Sequence, residues 1–175
     1  MTQFDTRQLR NAFGCFPSGV TIVSLKDEKQ NPTGITVSSF SSLSLDPPLC
    51  LFSIGKEQAS RPLFERSNHF VINVLCAEQE NIAWQFAKPI ENKFENVSYT
   101  EDANGMPVID GNLAYFSCKK WALYEGGDHI IIVGEVLDFK QTDLDALIFF
   151  KGTTFFYIAC RTSCYNIIPI SFASF

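Results

Sequence analysis

Short runs of apolar and β-branched residues recur along the chain, and segments rich in Asn, Asp, Gly and Pro separate them. Runs of this length and composition predict β-strands. We predict strands over residues 19–26, 33–45, 49–54, 69–75, 114–124, 130–139, 146–150 and 154–158. Asp46-Pro47-Pro48 is expected to end the long second run, because proline cannot donate to a strand ladder.

Three shorter segments carry apolar residues at helical spacing. The first begins at a cap, Asp5 or Thr6, the second begins at Ser60, and the third covers residues 78–86. Residues 88–111 contain Asn, Pro and Gly throughout and are predicted to form a loop. Because helices do not separate most of the strands, the pattern predicts a mainly β fold with antiparallel sheets and a few short peripheral helices.

The length and composition are those of one folded domain, which we predict over residues 1–175. Of the 175 residues, 46% are hydrophobic and 19% are charged, which excludes disorder as the default state. The chain contains 17 phenylalanines. That many rings need a large core or a second buried surface, such as a subunit interface or a flat ligand.

The net charge and the cysteines limit which classes of binding partner and which cellular compartment we expect. The net charge is −5 and no basic run occurs, which argues against nucleic acid and against an anionic membrane surface. No segment approaches the roughly 18 apolar residues of a membrane span, and residues 1–10 lack the apolar stretch of a secretory signal. The six cysteines are therefore expected to be reduced thiols in a cytoplasmic protein. Cys160 and Cys164 form the only close pair and histidines are scarce, so we predict no metal site.

The densest polar signal is the segment 36–44, TVSSFSSLS, in which six of nine residues carry a hydroxyl. A solvated edge strand would account for the hydroxyls that share a face with Thr36. It would not account for Ser39 and Ser41 among apolar residues, because buried hydroxyls need partners. Clustered hydroxyls and free backbone N–H groups also suit a phosphate or a heterocycle with several acceptors. From the residues alone, a solvated edge strand and a ligand-binding segment both remain possible for residues 36–44.

A second polar signal is Gly126-Gly127-Asp128-His129, between two predicted strands. An ordinary hairpin turn explains the glycines and the aspartate, but not an imidazole at the base of an apolar strand. A structural and a functional histidine are both compatible with this position. No recognisable nucleophile motif, Walker-type loop or GxGxxG segment occurs. The residues alone therefore indicate a ligand-binding β domain whose chemistry is unassigned.

Five segments resemble the short-chain flavin reductases, which are the reductase components of two-component flavin-dependent monooxygenases. They are FPSGV at 16–20, GITVSSFSSLSLDPPL at 34–49, SNHFVINVL at 67–75, GMPVIDGNLAYFSCK at 105–119, and GGDH with IIIVGEV at 126–136. The resemblance covers residues 4–158 and leaves 159–175 as a C-terminal tail. It implies an FMN-binding split β-barrel, antiparallel and Greek-key-like, that forms a homodimer. The implied reaction is hydride transfer from NADH or NADPH to FMN or FAD.

The resemblance also implies a set of cofactor-binding residues: Pro17, Gly19, Thr36, Val37, Ser38, Ser39, Ser53, Ser60, Lys93, Phe94, Gly127 and Asp128. In this interpretation residues 36–39 border the flavin ring and ribityl chain. Ser53 and Ser60 lie near the phosphate, with Ser60 at a helix N-terminus. The pair Lys93-Phe94 closes over the flavin.

His129 is the residue that the resemblance places on the nicotinamide side, together with Gly127 and Asp128.

Three functions remain open for this chain. The first is an NAD(P)H-dependent flavin reductase that supplies reduced flavin to a monooxygenase. The second is a flavoprotein of the same fold that retains its flavin for another redox reaction or for electron transfer. The third is a non-enzymatic binding or scaffold protein.

Overall fold

The computed structural model describes residues 4–156 of the chain. The predicted C-terminal tail, with Cys160 and Cys164, and the last two residues of the final predicted strand lie outside the described residues. Three α-helices occur within the described range: α1 (Thr6–Phe13), α2 (Arg61–Arg66) and α3 (Glu80–Ala87). The strands of the same range, in chain order, are β1 (Ser18–Gly19), β2 (Thr21–Lys26), β3 (Pro32–Val37), β4 (Ser41–Leu45), β5 (Pro48–Gly55), β6 (His69–Val74), β7 (Tyr99–Glu101), β8 (Pro107–Ile109), β9 (Ala114–Gly126), β10 (His129–Gln141), β11 (Leu147–Phe150) and β12 (Thr153–Phe156).

Seven strands form one antiparallel sheet in the order β3-β2-β6-β9-β10-β5-β4. Its two edge strands, β3 and β4, follow each other in the chain. The segment 38–40 joins them, and the Ser39 hydroxyl in it bonds to the backbone of Ser53 in β5. The sheet therefore curls until its edges approach each other, which gives a barrel that is open along β3. The prediction of a mainly β, antiparallel fold with a few short helices is confirmed.

Two clusters of apolar side chains hold this barrel together. The first fills the barrel and includes Phe52, Phe64 and Phe70, whose rings meet edge to face at centroid distances of 5.9 and 5.4 Å. The second lies beneath α3 and includes Phe86 and Phe94, again edge to face at 4.9 Å. Part of the phenylalanine surplus is thus used inside one chain, because such rings bury large areas and pair with defined geometry.

Gly34 determines how closely α3 can approach β3. A Cβ atom at this position would lie 2.7 Å from the carbonyl oxygen of Val23 and 3.1 Å from the ring of Phe86. Both distances are shorter than ordinary van der Waals contact, so only glycine lets the helix pack this near to the edge strand. This close packing positions α3 beside residues 36–38, which are the hydroxyl-bearing residues singled out from the sequence.

The predicted single strand over residues 33–45 is wrong. The chain leaves the sheet after Val37 and re-enters it at Ser41, on the opposite edge. The physical reason is the Ser39 hydroxyl, which satisfies the N–H and the carbonyl of Ser53 in β5 at 2.9 and 3.0 Å. The expected alternation of faces from Thr36 to Ser44 therefore does not apply across the break.

The predicted loop over residues 88–111 contains the small hairpin β7–β8, so that prediction is wrong in part. The turn of this hairpin is organised by Asp102, whose Oδ1 accepts the N–H groups of Asn104 and Met106 at 2.8 Å. Strands of three residues between turn-forming residues leave too short an apolar run to be recognised from periodicity.

Candidate functional site

Two clefts that share residues lie along the open edge strand β3. The first cleft has a volume of about 230 Å³ and lies between the end of β3, α3 and the hairpin β11–β12. Most of its walls are apolar, and three hydroxyl residues complete them. Its lining residues are Val20, Thr36, Val37, Ser38, Ala83, Trp84, Ala87, Phe149, Gly152 and Thr154.

Two of the predicted hydroxyls line the first cleft and differ in their bonding. Thr36 donates its hydroxyl to the carbonyl of Ala83 at 2.6 Å, which ties β3 to α3. Ser38 is exposed, and its hydroxyl makes no hydrogen bond to any of residues 4–156. Ser38 is therefore available to bond a molecule that enters the cleft, whereas Thr36 shapes its wall.

Ser39 and Ser53 lie outside both clefts. The Ser39 hydroxyl is occupied, because it accepts from the N–H of Ser53 and donates to the Ser53 carbonyl. The Ser39 hydroxyl, which stands among apolar residues in the sequence, therefore has the backbone of Ser53 as its hydrogen-bond partner. The two serines hold the chain break against β5 and thereby fix where Ser38 lies.

The second cleft is larger, about 750 Å³, and more polar. It runs between residues 33–36 of β3, residues 58–60, and the segment 86–93. It shares Thr36 and Ala87 with the first cleft, so the two form one continuous groove. Ser60 precedes α2 as its N-cap residue, and its hydroxyl makes no capping bond. Because α2 has only six residues, its dipole is a minor contribution to this cleft.

Lys93 lines the second cleft, but Phe94 does not. The ammonium group of Lys93 donates to the carbonyls of Phe86, at 2.9 Å, and Lys88, so it caps the C-terminus of α3. Burial lowers the pKa of this ammonium. Phe94 is buried between Phe86 and Tyr99, with centroid distances of 4.9 and 5.0 Å. The Phe94 ring thus packs in the core in this structure, and its closure over a ligand stays a prediction.

Pro17 and Gly19 flank the first cleft without lining it. Gly19 pairs with Ile148 of β11, and its neighbour Val20 forms part of the cleft wall. A Cβ atom at Gly19 would meet nothing within 4 Å, so the chain itself does not require glycine there. Open space at this backbone is compatible with the predicted close approach of a ligand.

His129 begins β10 and lies outside both clefts. Its Nδ1 is 2.7 Å from the Asp128 carboxylate, and this hydrogen bond lowers the pKa of Asp128. Gly127 supports the turn with a φ of 73°. A Cβ atom at Gly55 would lie 3.7 Å from both His129 Nε2 and Gln58 Cγ, and Gln58 lines the second cleft. The imidazole is thus separated from the groove by residues 55–58.

The family model for the flavin reductase like domain matches residues 13–157. The chain belongs to this family. It is 42% identical over 148 residues to the FMN reductase (NADH) SmoA of Agrobacterium fabrum, covering 85% of this chain and 84% of that protein. It is 38% identical over 152 residues to the stachydrine N-demethylase reductase subunit Stc3 of Rhizobium meliloti, covering 87% of this chain and 66% of that subunit.

A solved structure of an oxidoreductase is closely similar to the fold of this chain. The Streptomyces globisporus NADH:FAD oxidoreductase SgcE6, in complex with NAD and FAD fragments, matches with a TM-score of 0.85 and 35% identity. The match covers 91% of this chain and 96% of that one. The resemblance inferred from the five sequence segments is confirmed. The chain spans about half the length of two further curated relatives.

The groove of this flavin reductase-like chain fits the chemical parts of a flavin. A flavin has a flat, largely apolar ring with acceptors at its edge, followed by a polar tail that ends in phosphate. The first cleft offers apolar walls and the exposed hydroxyl of Ser38, which has no hydrogen-bond partner among residues 4–156. The second cleft offers Ser60, Lys88 and Lys93. The residues present therefore suit a ring in the first cleft and a tail in the second.

Sequence reasoning missed the contribution of α3 and of the last hairpin. Ala83, Trp84 and Ala87 form one wall of the first cleft, and Phe149 and Thr154 contribute from β11 and β12. The sequence signal was limited to the small side chains at Ala83 and Ala87, one helical turn apart, beside Trp84. The exposure of Trp84 and the packing of α3 against β3 are known only from the structure.

No group of three or more His, Cys, Asp or Glu side chains within residues 4–156 is arranged to hold a metal ion. In the same part of the chain, every helix is too short or too polar to traverse a bilayer.

Proposed function

We propose that the protein is an NAD(P)H-dependent flavin reductase that transfers a hydride from reduced nicotinamide to FMN or FAD. The observation that carries the proposal is the groove along β3, in which an apolar cleft with the exposed Ser38 hydroxyl continues into a polar one. The names of the relatives support it, since they include an FMN reductase (NADH) and an NADH:FAD oxidoreductase.

A bound flavin supplies the hydride-accepting atom of this reaction. The chain contributes binding and orientation, because hydride transfer depends on close alignment of two rings rather than on a nucleophile. Val20, Val37 and Phe149 provide apolar walls for the first cleft, and Thr36 ties α3 to β3 beside it. Ser38 is the group that would donate to an acceptor at the ring edge. The first cleft's lining residues within 4–156 are apolar or hydroxyl-bearing, which suits the binding and orientation of a ring.

The test is a turnover assay with excess free FMN or FAD and either NADH or NADPH. Consumption of many flavin equivalents per protein is the expected result. A protein that is purified with flavin and bleached by NADH, but does not turn over free flavin, would instead be a flavoprotein that retains its cofactor. A protein that binds no flavin would be the non-enzymatic alternative, and the proposal would be wrong.

Ser38→Ala is expected to weaken FMN binding about 5- to 150-fold, because one hydrogen bond to a buried ligand acceptor is worth on the order of 1–3 kcal/mol. Ser42→Ala is the matched control, because Ser42 is an exposed serine of β4 that lines neither cleft, and it should bind FMN as the wild type does. Equilibrium dialysis measures the affinities, and thermal unfolding checks that both variants fold. Unchanged FMN affinity in Ser38→Ala would contradict this prediction and would favour the interpretation of residues 36–44 as a solvated strand.

His129 is retained as the residue proposed to hold the nicotinamide. His129→Ala should raise the KM for NADH or lower kcat by about 5- to 10-fold, the cost of roughly one hydrogen bond, with little change in FMN affinity. The side chain is 47% exposed, so the fold should not depend on it. A structural histidine would behave differently, since its loss would lower the melting temperature and flavin affinity together.

We propose a homodimer, with a monooxygenase component as partner and the cytoplasm as compartment. Large apolar side chains lie exposed at one end of the seven-stranded sheet: Leu43, Leu45, Leu137 and Phe139. Phe139 extends a row of rings through Phe116 to Phe40, with centroid distances of 6.5 and 5.6 Å. Exposed apolar patches of this kind mark interfaces. Light scattering should give about twice the chain mass of 19.7 kDa, and a particle of 19.7 kDa at micromolar concentration would contradict the dimer.

A further inference from the structure

Trp84 lies at the mouth of the first cleft, and the proposed function assigns no role to it. It projects from α3, lines the cleft, and remains 44% exposed. A bound molecule that covers the exposed part of the indole ring would gain hydrophobic free energy from its burial. The chain has only one other tryptophan, Trp121, which lies on β9 and lines neither cleft.

The orientation of the Trp84 ring is fixed by its neighbours. Its indole N–H donates to Glu80 Oε1 at 3.4 Å, one helical turn earlier. The same carboxylate oxygen accepts the hydroxyl of Thr154 from β12. Glu80 thus links both sides of the cleft mouth and holds the indole beside the opening. A ring that is held in place before a ligand arrives loses little conformational entropy when the ligand binds.

The surroundings of Trp84 leave room for a flat ring. Ala83 and Ala87 are the other residues of α3 in the cleft wall, and neither side chain reaches beyond its Cβ atom. Phe149 adds a second aromatic ring to the lining of the same cleft. Aromatic groups prefer offset-stacked or edge-to-face contacts with one another, so such a cleft favours a planar aromatic ligand over an aliphatic one.

We propose that Trp84 packs against the ring system of the bound flavin and sets the affinity for the ring rather than for the phosphate tail. This inference rests on the proposed function, because it assigns the first cleft to the flavin ring. The tail, in the second cleft, does not contact Trp84. The loss of Trp84 should therefore weaken the binding of a whole flavin and of an isolated flavin ring by the same factor.

The experiment compares the binding of FMN with that of lumiflavin, which has the ring but lacks the ribityl phosphate. Trp84→Ala is expected to weaken the binding of both about 10- to 100-fold, whereas Trp84→Phe should lose less than about 5-fold because it keeps an aromatic face. Trp121→Phe is the matched control and should bind both ligands as the wild type does. Melting temperatures of all variants should agree closely, because the Trp84 side chain is partly exposed.

Tryptophan fluorescence gives a second readout that does not depend on turnover. In Trp121→Phe the remaining emission comes from Trp84, and saturation with oxidised FMN should quench most of it. Equal affinity of Trp84→Ala and wild type for both ligands would overturn the inference, and so would a loss confined to FMN. A wild-type protein that binds neither flavin would overturn the proposed function itself. Binding and turnover by the wild type, without any effect of Trp84→Ala, would overturn only the role of Trp84.

Discussion

Ala87→Trp is expected to leave the protein folded and to weaken FMN binding by at least about 100-fold, which is about 2.7 kcal/mol of binding free energy. Ala87 is the last residue of α3, is exposed, and belongs to the walls of both clefts. An indole at this position would occupy the passage between the apolar and the polar cleft. A flavin that extends through both clefts could then no longer fit.

Asn81→Trp provides the control for this variant. Asn81 lies on the same helix, is also exposed, and lines neither cleft. Both variants add a large ring to the surface of α3, so general effects of that ring on folding or solubility should be common to them. Equilibrium dialysis with FMN and circular dichroism measure affinity and fold. Equal FMN affinity in Ala87→Trp and Asn81→Trp would mean that the groove along β3 does not hold the flavin.

Most strands of the barrel were predictable from sequence because they present runs of β-branched and apolar residues between turn-forming residues; β4, with the sequence SSLSL, is the exception. The break at residues 38–40 was not predictable in this way. It depends on the bond between Ser39 and Ser53, fourteen residues apart, and no local pattern encodes such a contact. The hairpin β7–β8 was missed because strands of three residues are shorter than the periodicity that identifies a strand.

The site was predictable where its chemistry is carried by one continuous segment. The hydroxyl-rich stretch drew attention to Thr36 and Ser38, and both line the first cleft. The wall formed by α3 escaped prediction, because the helix becomes part of the site only when Gly34 lets it pack against β3. Phe94 depends on contacts that are distant from any local pattern. The family resemblance implied that the pair Lys93-Phe94 closes over the ligand, and in this structure edge-to-face contacts with Phe86 and Tyr99 hold the Phe94 ring in the core.

Asn73 illustrates how a residue in an otherwise apolar strand can be decisive for the fold. It lies in the segment SNHFVINVL, which carries part of the family resemblance, and its side chain is fully buried. Its amide nitrogen donates to the carbonyl of Ile22 at 3.1 Å and to the Ser24 hydroxyl at 2.9 Å. Its amide oxygen accepts from the N–H of Ile109 at 2.9 Å and from Asn112 at 3.2 Å. One side chain thus joins β2, β6, β8 and the segment before β9.

Asn73→Ala is expected to lower the free energy of unfolding by about 3–5 kcal/mol, because it removes four buried hydrogen bonds and leaves the N–H of Ile109 and the side-chain amide of Asn112 without this partner, at about 1–3 kcal/mol each. Urea unfolding followed by circular dichroism measures the change. Asn81→Ala, which truncates an exposed asparagine on α3, should stay within about 0.5 kcal/mol of the wild type. A loss below about 1 kcal/mol in Asn73→Ala would mean that the four strand and loop groups find other partners, and that the polar network does not hold the hairpin β7–β8 against the barrel.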